Sequence, residues 1–133
     1  RLANIFNLEN IDILDYRIAA NTLEIAGDTV VELSQSLIKS NLSKVELKKL
    51  HDFAKDMEEI QIKSIDSFIS NNRTLAIDAI RLQRNNATKI SKIRSSLESK
   101  KQISLAFFDL IYMFEKVLQS WSDIADLVKP SYK

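Results

Sequence analysis

The sequence predicts an all-α protein, an antiparallel bundle of about four long helices. The 133 residues contain one glycine and one proline, although hairpins and tight turns need these residues repeatedly. Apolar residues also recur at alternating steps of three and four along most of the chain, which is the period of an α-helix. We expect one domain over residues 1–133, cut from a longer protein, with a first helix at 11–40 and three further helices at 43–129.

The first helix carries the most informative stretch of sequence. Gly27, the only glycine, costs about 1 kcal/mol relative to alanine in a helix interior. It suggests the close approach of another backbone or a ligand, and neutral drift is the alternative. A polar stripe passes beside it, formed by Arg17, Asn21, Glu24 and Asp28. One buried side is predicted at the apolar positions Tyr16, Ala19, Leu23, Ala26, Val30, Leu33 and Leu37.

Capping signals predict the second and third helices. Ser43 and Glu46 have the spacing of a capping box, which starts a helix at about 44–70. Thr74 is expected to cap a helix at about 74–99. The buried stripe of the second helix is predicted at Leu50, Phe53, Met57, Ile60 and Phe68, with a polar interruption at Ser64.

The fourth helix, at about 102–128, has the densest apolar seam and is predicted to lie at the centre of the core. Pro130 stops it, because proline cannot continue a helix. A polar stripe that includes Glu115, Gln119 and Asp123 lies beside the seam. The seam consists of Ile103, Phe107, Leu110, Phe114, Val117, Trp121, Ile124 and Val128.

Composition excludes several classes of function. Lys and Arg number 19 and Asp and Glu 18, so no global positive field would attract nucleic acid to this segment. Without cysteine there are no disulfides, zinc fingers or thiol catalysis. No apolar run reaches the length of a membrane span, and we expect a cytoplasmic protein without membrane insertion. The single His51 and the lack of a glycine-rich loop give no basis for catalysis, so we predict that the chain is not an enzyme.

The pair Glu24 and Asp28 is the first candidate for chemistry. Residues four apart on a helix have β-carbons about 6 Å apart and can share a cation. Carboxylates suit hard cations such as Mg²⁺, Ca²⁺, Mn²⁺ or iron. A solvated acidic face is the alternative for this pair, and it is also the interpretation of the cluster at Asp56, Glu58 and Glu59, which lysines flank.

The segment RIAANTLEIAGDTVVEL resembles the signature of PhoU-like phosphate-uptake regulators, in which Glu and Asp stand four apart on a helix. The match falls on Arg17, Ala19, Leu23, Glu24, Gly27 and Asp28, and it departs at Ile25, where the family has arginine. The segment YMFEKVLQSWSDIADLV resembles a second copy, with Glu115 as its glutamate and Gln119 where the aspartate would stand.

This resemblance implies a regulator that adjusts phosphate uptake or signalling through protein contacts with a transporter ATPase or a sensor kinase. It also implies a divalent or trivalent metal ion, Fe, Mn, Zn or Mg, with Glu24, Asp28, Glu115 and Asp123 as the candidate ligands. A homodimer stays open. The alternative is a structural or dimerisation bundle appended to a DNA-binding or transport-regulatory domain.

Overall fold

A computed structural model describes residues 10–98 and 104–128 of the chain, with side chains from 13 to 96 and from 104 to 128. These residues form four α-helices, α1 (Asn10–Lys39), α2 (Lys44–Ile69), α3 (Arg73–Glu98) and α4 (Leu105–Asp126). The predicted all-α bundle is confirmed. The seam residue Ile103 and the stop at Pro130 lie outside the described residues. None of the described helices is long and apolar enough to cross a membrane.

Side-chain chemistry at the ends of the helices explains where they begin. The capping box before α2 is present, since Glu46 N–H donates to Ser43 Oγ at 3.1 Å and Ser43 N–H donates to Glu46 Oε1 at 3.0 Å. Asn72, rather than the predicted Thr74, caps α3, because its Oδ1 accepts a hydrogen bond from Leu75 N–H at 3.1 Å.

The turn between α2 and α3 needs a backbone conformation that asparagine tolerates well. Asn71 has a φ of 51°, in the left-handed region, which asparagine adopts more readily than most residues. The chain reverses at this point, so α2 and α3 run antiparallel.

Contacts between distant residues fix the directions of the helices. Arg73 Nη1 donates to the carbonyl of Val128 at 2.6 Å, and Arg94 pairs with Glu115. The start of α3 thus lies beside the end of α4, and a later residue of α3 lies beside an earlier residue of α4. These two helices therefore run antiparallel. Tyr16, near the start of α1, packs against Phe68, near the end of α2, so α1 and α2 run antiparallel as well. With the reversal between α2 and α3, this gives an up-down-up-down bundle.

Helix α4 is the centre of the core, as the sequence predicts. It lies against each of the other three described helices, so its buried surface is wider than the predicted seam. Ile111, Leu118 and Ala125 are buried in addition. The predicted positions are all buried among the described residues, namely Phe107, Leu110, Phe114, Val117, Trp121, Ile124 and Val128.

The predicted polar interruption of α2 is a place of close helix packing. Ser64 and Ser67 are fully buried. Ser64 Oγ donates to the carbonyl of Trp121 at 2.5 Å, and Ser67 Oγ donates to the carbonyl of Ser64 at 2.7 Å. Small hydroxyl side chains that satisfy their own hydrogen bonds let the backbones of α2 and α4 approach each other.

The predicted buried side of α1 is only half correct. Ala19, Ala26 and Leu33 are buried, whereas Tyr16, Leu23 and Val30 are 49%, 41% and 36% exposed. Among the described helices only α4 lies close to the backbone of α1. A helix with one close neighbour buries one narrow side, and the rest of its apolar stripe stays accessible.

Candidate functional site

The carboxylates of Glu24 and Asp28 lie on the outward side of α1. Both residues are exposed. At about 100° per residue, they lie opposite the side on which Ala26 and Leu33 pack against α4. Within residues 10–98 and 104–128 neither carboxylate has a hydrogen bond or an ion pair. The pair is therefore free for a ligand or partner that approaches from outside the bundle.

The other two predicted ligands have partners already. Glu115, about one third exposed, forms an ion pair with Arg94 of α3. Asp123 is exposed, and its Oδ1 accepts a hydrogen bond from Gln119 Nε2 at 2.9 Å. Glu115 and Asp123 lie eight residues apart on α4, about 12 Å along the helix axis. A cation at Glu115 would have to compete with the guanidinium of Arg94.

The structure thus does not bring the four predicted ligands together. Glu24 and Asp28 are neighbours on one helix, and Glu115 and Asp123 stand apart from each other on another. In the part of the chain that is described, no group of three or more Asp, Glu, His or Cys side chains is arranged to hold a metal ion. Glu24 and Asp28 are therefore two ligands that need others.

Two of the three acidic residues of the predicted cluster on α2 take part in ion pairs. Asp56 Oδ2 lies 3.7 Å from Lys89 Nζ, and Glu59 Oε1 lies 3.6 Å from Lys63 Nζ. Glu58 and His51 are exposed on the same helix. These positions agree with a solvated, salt-bridged face.

Two of the grooves that border α3 were not predicted from the sequence. The first, of about 390 Å³, lies between α2 and α3 and is lined by Phe53 and Ile93 among charged residues. The second, of about 360 Å³, is lined by Arg73, Arg81 and Arg84 and by Asp126 of α4. The spacing of the three arginines along one side of a helix is the signal that could have located the second groove.

Gly27 meets no neighbouring group in this chain. A β-carbon built at this position has no heavy atom of another described group within 4 Å. The close approach that the sequence suggested is therefore not made within residues 10–98 and 104–128, and the glycine lowers the stability of α1 without a compensating contact.

Gly27→Ala is expected to raise the free energy of unfolding by about 1 kcal/mol, because alanine restricts the unfolded chain and favours the helix. Urea denaturation in dilute solution, followed by circular dichroism, measures the change. Ala20→Gly, at another exposed position of α1, is the matched reversal and should lower stability by a similar amount. A loss of stability in Gly27→Ala would contradict the open surroundings of Gly27.

Comparisons with known proteins do not assign this chain to a family. No protein-family model matches it, and neither the search of curated proteins nor the search of solved structures finds a match.

Proposed function

We propose that this chain is a PhoU-like regulatory domain that modulates phosphate uptake or signalling through protein contacts and is not itself an enzyme. The observation that carries the proposal is the outward position of Glu24 and Asp28 on α1, with both carboxylates unpaired among the described residues. These residues belong to the segment from Arg17 to Asp28 that resembles the family signature. A stripe that faces away from the core is available to a second protein.

The partner in this proposal is a cytoplasmic transporter ATPase or sensor kinase. Acidic side chains on an exposed helix favour a partner with a basic surface, because complementary charges speed the encounter and fix its orientation. The role of the bundle is to hold α1 rigid. Ala19, Ala26 and Leu33 anchor the opposite side of the helix in the core, so the acidic stripe keeps its orientation.

The proposal includes a metal ion at Glu24 and Asp28. Two carboxylates supply oxygen ligands that suit Mg²⁺, Mn²⁺ or iron, but Mg²⁺ takes about six ligands in octahedral geometry. Water molecules would complete the shell, as is usual for Mg²⁺ held by one or two carboxylates. Glu115 is the weaker candidate, because Arg94 already neutralises its charge.

The double variant Glu24→Gln/Asp28→Asn tests both parts of the proposal. Metal content after purification without chelator should fall to background, and binding to the purified transporter ATPase or sensor kinase should weaken by at least about tenfold. Both substitutions keep the size of the side chain and lie on an exposed surface, so the fold should be unaffected.

The matched control is Glu58→Gln/Asp66→Asn, which removes the same two charges from exposed positions of α2. It should keep the metal and the partner affinity of the original chain. Equal metal content in all three proteins would contradict the metal site. Equal partner affinity in all three would contradict the proposed role of α1.

A second candidate function is a structural or dimerisation bundle attached to another domain. The exposed apolar residues of α1 favour it, because contiguous apolar surface commonly marks a protein contact. A stable dimer that binds neither a cation nor a phosphate-transport partner would support this alternative.

A further inference from the structure

The side of α1 between its acidic stripe and α2 carries an ordered set of exposed residues. At steps of three and four it alternates large and small side chains along five turns of the helix. We call this set the outer seam. It consists of Tyr16, Leu23 and Val30, which are large, and of Ala20, Gly27 and Ser34, which are small, and all six are exposed.

The position of α2 leaves the outer seam open. The ring of Tyr16 packs edge-on against that of Phe68, with ring centres 5.1 Å apart, so α2 borders the seam on one side. The backbones of α1 and α2 nevertheless stay apart, and Leu23 remains 41% exposed. The outer seam therefore keeps an accessible surface beside α2.

The outer seam of one copy can pack against the outer seam of a second copy that runs in the opposite direction. If two copies of α1 lie antiparallel with a two-fold axis beside residue 25, then Tyr16 faces Ser34, Ala20 faces Val30, and Leu23 faces Gly27 of the other copy. Each large side chain meets a small one, as in the knob-and-hole packing of paired helices. A two-fold interface must be self-complementary in this way.

We propose that this chain forms a homodimer in which the outer seams of two α1 helices pack antiparallel, with Leu23 of each copy against Gly27 of the other. This arrangement gives a role to Gly27, which has no neighbouring group within the described chain. A glycine lets the opposing leucine approach the backbone of the helix. The proposal requires neither a metal nor a phosphate-related partner. It rests on the second candidate function, a dimerisation bundle, and names the surface through which the two copies pair.

The exposed apolar surface of α1 would supply the centre of a dimer interface. Five large apolar residues on or beside the outer seam are between 36% and 84% exposed, namely Tyr16, Leu23, Val30, Val31 and Ile38. A standard interface buries about 800 Å² per partner, with an apolar core inside a polar rim. The outer seam fits that pattern, because the acidic stripe of α1 borders it.

The charge of Glu24 gives the proposed dimer a distinctive dependence on salt concentration. Glu24 follows Leu23 in the chain, so the Glu24 side chains of the two copies lie on the same side of the dimer near the axis. Their repulsion weakens as salt screens it. Dimerisation should therefore strengthen with added sodium chloride, whereas an interface formed by opposite charges would weaken.

Gly27→Leu is the decisive variant, because the two states respond to it in opposite directions. In a monomer the new side chain enters open space and leucine favours the helix, so stability is kept or raised. In the dimer it collides with Leu23 of the second copy, and the dissociation constant measured by sedimentation equilibrium should rise by at least about tenfold. The double variant Gly27→Leu/Leu23→Ala exchanges the large and small partners and should restore dimerisation.

Exposed residues on the other side of α1 provide the control. Leu14 and Ile25 are as exposed as the residues of the outer seam, and Leu14→Lys and Ile25→Lys should leave the dissociation constant unchanged. Two results would overturn the proposal: a monomer at every concentration of the original chain, or a dimer that Gly27→Leu does not weaken. Neither result would affect the metal and partner measurements on Glu24 and Asp28.

Cysteine cross-linking checks the register, since the chain contains no cysteine of its own. A mixture of Ala20→Cys and Val30→Cys chains should form the mixed disulfide under oxidation. Ala20→Cys alone should form none, because the two copies of residue 20 would lie about 15 Å apart along the helix axis, beyond the reach of a disulfide. A disulfide between two Ala20→Cys chains would refute the antiparallel register.

Discussion

Trp121→Ala is expected to lower the free energy of unfolding by about 3–5 kcal/mol, the usual cost of emptying a buried aromatic site. Trp121 is 5% exposed and belongs to the same core cluster as Phe53 and Phe114, whose ring centres are 6.2 Å apart. Its Nε1 is buried and donates no hydrogen bond to any described residue, so the indole stabilises the core through its apolar surface. Urea denaturation followed by circular dichroism measures the loss.

Tyr112→Ala is the matched control for Trp121→Ala, since it removes an aromatic ring from the same helix. Tyr112 is 58% exposed, and the centre of its ring lies 5.1 Å from Lys116 Nζ. Exposed cation–π contacts of this kind contribute about 0.5–1 kcal/mol to stability. Its removal should cost about 1 kcal/mol. Equal losses in the two variants would show that α4 is not oriented as described.

Ser64→Leu is expected to lower the free energy of unfolding by about 2–4 kcal/mol, because it forces a large side chain into a close contact and removes a buried hydrogen bond. Ser64 is fully buried, and its hydroxyl donates to the carbonyl of Trp121 at 2.5 Å. Leucine would push α2 away from α4 where the Ser64 hydroxyl now reaches the backbone of α4. The same denaturation experiment measures the effect.

Two controls separate the causes of the loss at Ser64. Ser64→Ala removes the hydrogen bond without adding volume and should cost about 1 kcal/mol. Ser91→Leu adds the same side chain at an exposed position of α3 and should change stability by less than about 0.5 kcal/mol. If Ser64→Leu were as mild as Ser64→Ala, the helices would not be in close contact there.

The elements that local chemistry determines could be predicted from the sequence. The capping box of Ser43 and Glu46 places the start of α2 correctly, because both of its hydrogen bonds lie within one turn. The period of α4 locates its buried side, because that helix is surrounded by the other three. The start of α3 was misplaced at Thr74, since Asn72 has the same capping chemistry and lies next to a residue with positive φ.

The burial of α1 could not be predicted, because it depends on how many helices lie beside it. A repeat of apolar residues shows that one side of a helix is apolar. It does not show how much of that side the neighbouring helices cover. Leu23 and Val30 are apolar in the sequence, yet α4 covers only the side that contains Ala26 and Leu33. The exposed remainder is the outer seam.

In the candidate site, too, local features could be predicted from the sequence, whereas features that depend on helix packing could not. That Glu24 and Asp28 share one side of α1 follows from their spacing, and the structure places both on the outward side. The engagement of Glu115 by Arg94, 21 residues away in the chain, depends on how α3 packs against α4. The groove with Arg73, Arg81 and Arg84 is likewise a product of packing, since Asp126 of α4 completes it.

The unequal number of neighbours of α1 and α4 sets an order of local unfolding. Helix α1 can separate after losing its interface with α4 and the ring contact of Tyr16 with Phe68 of α2. Helix α4, in contrast, cannot leave without opening close interfaces with all three other described helices. The free energy of opening is therefore lowest at α1 and approaches that of global unfolding at α4. A second protein that grips α1, whether another copy or a regulatory target, would stabilise the part of the chain that opens most readily.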